Sequence, residues 1–225
     1  MKKALLITIL SIISIGVFAQ EREERKLSSF DKIKSSQAID VYIKPGSEEK
    51  VVVVVDRIDL DDVLTEVSGG KLSIRLSKGN YRNIDVKVYV TYKNLNGVSA
   101  SSASNITGEG TLKTDRLKIG VSSAASIELR IDCEDLNVSA SSSGDMELEG
   151  RARSIYAKAS SAGEIDAYDL VAENADLGAS SAGDIRLTVN KSIDAHASSG
   201  GSIRYKGNPD KSNTNSSSGG SVKKH

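Results

Sequence analysis

Ala159-Ser160-Ser161-Ala162-Gly163-Glu164-Ile165 is one of seven copies of a single phrase, and its recurrence decides the fold. The other copies are Ala100 to Ile106, Val121 to Ile127, Ala140 to Met146, Ala179 to Ile185, Ala197 to Ile203 and Ser216 to Val222. Positions two and three are serine every time. The fifth is Gly, Ala or Ser, and the seventh is Ile, Met or Val. Successive copies begin 21, 19, 19, 20, 18 and 19 residues apart, a spacing that chance serine runs would not keep.

Working outward, the flanks alternate. Leu117/Ile119, Leu136/Val138, Ile155/Ala157, Ala175/Leu177 and Ile193/Ala195 precede the phrases, and Ile127/Leu129/Ile131, Met146/Leu148, Ile165/Ala167, Ile185/Leu187/Val189 and Ile203/Tyr205 follow them. Polar residues fill the gaps, which is the period of half-buried strands and not of helices. Short strands at this interval predict an all-β fold, a parallel single-stranded β-helix (solenoid) with coils of about 19 residues. Each strand would pair with its equivalent about 4.8 Å above and below, burying what one coil alone cannot. An antiparallel sandwich also gives alternating strands, but it does not require like small residues at a fixed spacing.

Counting in twos places the flanking apolar residues, the second serine and the Gly/Ala position on one inward face. Small residues there would let the chain turn a sharp corner. Ser102, Ser123, Ser142, Ser161, Ser181, Ser199 and Ser218 are therefore expected as a structural ladder whose hydroxyls satisfy buried polar groups, with Ser101 and its equivalents facing water.

The chain divides into four parts. Residues 1–19 read as a signal peptide: Lys2 and Lys3, an apolar run from Ala4 to Phe18, then Ala19 before Gln20. Its apolar run is shorter than the roughly 20 residues of a spanning helix, so the mature chain is expected to carry no membrane span. Residues 20–27 are expected to be flexible. Residues 28–97 form a less regular β-rich part covering the open end of the solenoid, with Ile39/Val41/Ile43, the run Val51 to Val55, a hairpin around Gly69-Gly70 and the alternation Ile84 to Val90. Residues 98–225 are the repeats.

Composition narrows the function. The 225 residues carry 30 basic and 30 acidic side chains, so no basic excess exists to grip nucleic acid. There are 35 serines, 25 of them after residue 97, and there is no Trp. Cys133 is the only cysteine, which precludes an internal disulfide. It sits between Asp132 and Glu134, which disfavour a thiolate, and reads as a packing residue.

The signal peptide, the Gly69-Gly70-Lys71-Leu72-Ser73-Ile74 stretch and the Ala-Ser-Ser-Ala-Gly-Asp/Glu-Ile phrases resemble secreted bacterial proteins of the family called putative auto-transporter adhesin, head GIN domain. The resemblance covers roughly residues 28–222. It implies a β-helical fold and export to the periplasm or outer surface of a Gram-negative bacterium of the Bacteroides kind. The family supplies no catalytic residues to carry over, and no membrane barrel follows the repeats, so autonomous transport to the surface is not expected.

Three readings follow. The first is a non-catalytic exported binding module, adhesin-like, whose outward Ser, Asp, Glu, Arg186 and Arg204 contact an envelope protein or glycan. The second is a structural envelope scaffold assembling through solenoid ends, and a remote third is a polysaccharide-cleaving enzyme. For catalysis, His196 and His225 have no evident Ser or Cys partner, and the seven Tyr form no row. No cofactor is expected. The phrase's sixth position stacks Asp145, Glu164 and Asp184, a column of like charges repelling by roughly 0.9 kcal/mol per pair in water. A hard cation such as Ca²⁺ would relieve that repulsion.

Overall fold

A computed structural model describes residues 20–225; the signal peptide expected at 1–19 lies outside the described residues. In chain order the strands are β1 (Glu21–Arg25), β2 (Lys32–Ser36), β3 (Asp40–Pro45), β4 (Lys50–Asp56), β5 (Val63–Ser68), β6 (Lys71–Leu76), β7 (Asp85–Tyr92), β8 (Gly97–Ser101), β9 (Asn105–Ser122), β10 (Ser126–Ser141), β11 (Asp145–Ala159), β12 (Glu164–Ala179), β13 (Asp184–Ala197), β14 (Ser202–Lys206), β15 (Lys211–Ser216) and β16 (Ser221–Lys224). Between β4 and β5, Leu60–Asp62 make a 3-10 turn.

Strands β9 to β13 each run nearly the length of a coil and pair in parallel, like residue over like. Asn105, Ser126, Asp145, Glu164, Asp184, Ser202 and Ser221 are successive register partners. The result is a β-solenoid of about seven turns with coils of about 19 residues, as the repeat predicts. Its flanking Ile, Leu, Val, Met and Ala side chains are buried in one continuous core.

Coil length varies only away from the phrase. Thr107 and Thr111 of β9 sit opposite Glu128 and Arg130 of β10, so the longest coil bulges by two residues there. Asp166 and Asp169 of β12 sit opposite Glu147 and Glu149, one extra residue. A bulge re-aims one strand locally and leaves the ladder in register on either side. Inward parity also slips between Cys133 and Leu136, both buried although three apart, which marks a second bend in the coil.

The N-terminal part continues the same stack. Strands β2 and β3 form one more coil, pairing in parallel with β8 and β9. Next, β6 and β7 lie parallel on β2 and β3. Beyond them β5 and β4 run antiparallel, and the expected hairpin turns at Gly69 and Gly70, both at positive φ. Residues 20–27, expected to be flexible, instead supply β1, paired antiparallel to β4 from Glu21↔Val55 to Arg25↔Val51. Alternating charge had hidden a strand whose stability comes from its partner.

The serine corner corrects the parity expectation. In the phrase 159–165, Ser161 and Ala162 both have positive φ, 50° and 56°, and the Gly163 amide donates to the Ser160 carbonyl at 2.9 Å. Two left-handed residues inside that bond make a turn of the hairpin type, which ends the alternation. Ser102, Ser123, Ser142, Ser161, Ser181, Ser199 and Ser218 therefore face water, while the fifth position is inward as expected. The seven serines do stack, through main chain instead of hydroxyl. Each of their carbonyls accepts an amide from the neighbouring coil, from Ala38 to Ser102 at 2.9 Å through Gly200 to Ser218 at 3.3 Å.

Candidate functional site

The carboxylate column lies on the outward face of the strand that follows the corner, with Asp145, Glu164 and Asp184 in register. Arg186 takes the place expected for a cation. Its Nη1 lies 2.6 Å from Glu164 Oε1 and 3.0 Å from Asp166 Oδ2, and its Nη2 lies 2.9 Å from Asp184 Oδ2. Arg204 adds a longer contact to Asp184 at 3.3 Å. One planar guanidinium with several donors suits this fork. Among the described residues, no group of three or more His, Cys, Asp or Glu side chains is placed to hold a metal ion.

Next to that column Glu128, Glu147 and Asp166 are also register partners. Burial first, then the charges of Glu128, Asp166, Asp145 and Asp169, hold the Glu147 carboxyl above its ordinary range. Elsewhere the ladder alternates sign: Arg151 grips Asp132 through two bonds of 2.8 Å, which lowers the carboxyl of Asp132.

Cys133 is buried, and its thiol is pushed up to about 12 by burial and then by Asp132, Asp135 and Glu134. That suits packing, since a reactive thiol needs easy ionisation. His196 is exposed and contacts Asp194 at 2.9 Å, while His225 lies edge-on to Tyr168.

Two concavities were not legible in the sequence. One is a groove of about 790 Å³ running along the axis over the strand that precedes the corner. Its central row is Leu117, Leu136, Ile155 and Ala175, successive register partners that are buried. One flanking row is Arg116, Asp135, Ser154, Asn174 and Ser192; the other is Lys118, Asn137, Tyr156 and Asp176. Five rungs give the groove a length of roughly 19 Å at strand spacing.

The other concavity, about 680 Å³, lies over β3, β4 and β7, which stack on the strand that follows the corner, near the N-terminal end. There Tyr42 and Tyr89 stack with ring centroids 5.1 Å apart and planes 18° from parallel. The expectation that the tyrosines form no row overlooked this pair, because only the parallel register of β3 and β7 sets residues 42 and 89 side by side.

Residues 29–209 match the family profile described as "Putative auto-transporter adhesin, head GIN domain". No curated protein matches the chain. The fold is similar to the crystal structure of a putative adhesin from Bacteroides fragilis, with TM-score 0.84 and 24% identity over 92% of this chain and 97% of that one. A putative adhesin from Parabacteroides merdae aligns with TM-score 0.71 and 20% identity, over 92% and 96% of the two chains. A protein from Parabacteroides distasonis described as a putative lipid binding protein aligns with TM-score 0.64 and 23% identity, over 92% and 96%. Among the described residues no helix is long and apolar enough to cross a membrane.

Proposed function

The chain belongs to the putative auto-transporter adhesin, head GIN domain family, and from that premise we propose that it is an exported, non-catalytic binding module of the cell envelope that engages an extended, largely neutral glycan. The groove over Leu117, Leu136, Ile155 and Ala175 carries this reading. Its lining sets Lys32, Arg116 and Lys118 against Asp135 and Asp176, and Lys32 lies 3.6 Å from Asp31 just outside it, so it offers no strong field of either sign. Asn96, Asn137, Asn174, Ser154 and Ser192 supply the donor and acceptor pairs that hydroxyl-rich ligands match. Tyr156 adds an aromatic surface among them. Leu117, Leu136, Ile155 and Ala175 are buried in the core, so the polar flanking rows and Tyr156 make the contacts with a ligand.

Binding through faces also suits the end of the stack. The outermost strand β1 carries Glu21, Arg22, Glu23, Glu24 and Arg25, and dense charge on an edge strand discourages further strand addition. The test is a glycan array followed by calorimetry on the best neutral oligosaccharide, with Tyr156→Ala and Asn137→Ala compared with the parent. About tenfold weaker binding in the double variant at unchanged melting temperature supports the groove. Unaltered binding there, or no neutral glycan retained at all, refutes it. Proteolysis of intact cells then separates surface display from a periplasmic location.

A further inference from the structure

We infer that the Tyr42–Tyr89 platform is a second saccharide site, selective for an acidic sugar such as a uronate. Its lining shares no residue with the groove, so it stands or falls independently of the glycan reading above. Four strands build it. Val52 and Val54 of β4, Lys87, Tyr89 and Thr91 of β7, and Tyr42 and Lys44 of β3 line the depression, with Arg22 of β1 at its rim. Register sets Tyr42 beside Tyr89, and Tyr89 beside Val52.

Cross-strand packing accounts for the contact between the rings. It does not account for their exposure. Tyr89 remains 41% exposed, one of two large hydrophobic residues so open among the described residues, while Val52 and Val54 beside it are buried. The two rings stack on each other, so Tyr42 backs Tyr89, and the open part of the Tyr89 ring is the aromatic surface left to solvent. The C–H bonds of a pyranose face carry slight positive charge and are attracted to the negative face of such rings.

The surrounding cations select the sign of the ligand. Lys50 is held by Glu24 at 2.5 Å and Lys87 by Asp85 at 2.9 Å. Arg22 and Lys44, both exposed, have no carboxylate within ion-pair distance among the described residues. A sugar ring packed on the open part of Tyr89 can thus direct a carboxylate toward an uncommitted guanidinium or ammonium group. A fork-like guanidinium fits a carboxylate through two bonds.

The probe is a galacturonic acid hexamer, with its fully methyl-esterified form as the neutral control of equal shape. Calorimetry at 50 mM salt should show the acid form binding at least about tenfold more tightly than the ester, and binding should fall as salt screens the charges. Tyr89→Ala and, separately, Arg22→Gln with Lys44→Gln should each weaken the acid form about tenfold. These side chains are exposed, and an unchanged melting temperature checks that the variants fold. Tyr156→Ala, in the groove, should leave this binding intact. The inference is overturned if the parent does not bind the acid hexamer, if acid and ester bind equally, or if the platform variants bind as the parent does.

Discussion

Replacing Gly183 by Ala should loosen the stack at one rung, by an amount the geometry sets. A Cβ on Gly183 would lie 2.4 Å from the Ala159 carbonyl oxygen, 2.5 Å from its carbon and 2.8 Å from the Ser160 nitrogen. All three are main-chain atoms of the preceding coil, so no side chain can swing aside. Ordinary contact needs about 1 Å more, and opening the corner that far strains the Ser180 amide to Ala159 carbonyl bond of 3.0 Å. Overpacking costs about 1–3 kcal/mol and a weakened hydrogen bond about 1 kcal/mol, together about 3 kcal/mol. For a chain of this size that lowers Tm by roughly 6–12 °C. The control is Gly200→Ala, where nothing lies within 4 Å and only the φ of +74° is unfavourable, a penalty of about 1 kcal/mol. Thermal melts followed by circular dichroism compare the two. Because stacked repeats can open locally, hydrogen exchange at the Ser180 and Gly183 amides should show where protection is lost. Equal melting temperatures for the two variants would refute the claim that the missing Cβ sets the coil spacing at this corner.

Two further outcomes follow from the charged ladder. Arg186→Gln leaves Glu164, Asp166 and Asp184 without their shared partner and should cost about 1 kcal/mol after solvent screening, a fall in Tm of roughly 2–4 °C; an unchanged Tm at neutral pH contradicts the pairing. Glu147→Gln should raise stability at pH 7. The carboxyl is held above its ordinary value in the fold, so ionising it as pH climbs through the unfolded and then the folded value penalises the native state. The gain should vanish at acid pH, where Glu147 is protonated folded or unfolded, and denaturant titrations at pH 3 and pH 7 check both halves.

Much of this was written in single residues. Alternation such as Ile127, Leu129, Ile131 reports burial directly, because one face of a strand must be apolar wherever it meets a core. The recurring fifth-position glycine reports a close approach of backbone from the neighbouring coil. The corner itself was misread at its third position. Alternation extrapolated through Ser161 assumes extended backbone, and the left-handed pair Ser161-Ala162 breaks that assumption. An eighth corner at Ser35-Ser36-Gln37-Ala38-Ile39 lacks the repeat's signature because Gln37 takes the place of the serine at position three, although Ala38 donates to Ser102 as the other copies do.

The site was less legible, for a physical reason. A column along the axis joins residues about 19 apart in the repeats, so Asp145, Glu164 and Asp184 could be aligned from spacing alone. What pairs Glu164 and Asp184 could not: Arg186 sits two residues beyond Asp184, and only its side-chain direction shows that it reaches across to the coil of Glu164. Tyr42 and Tyr89 belong to strands with no common period, and their contact exists only because β7 folds back between β4 and β3.

The amino-acid order by itself determined that this chain winds into stacked coils, since periodic burial and periodic small residues are local chemical constraints that each rung repeats. Tertiary structure alone decided which outward side chains share a surface. Solvent-facing residues carry no burial pattern to announce their neighbours, and their grouping depends on register, bulges and the fold-back of the N-terminal strands.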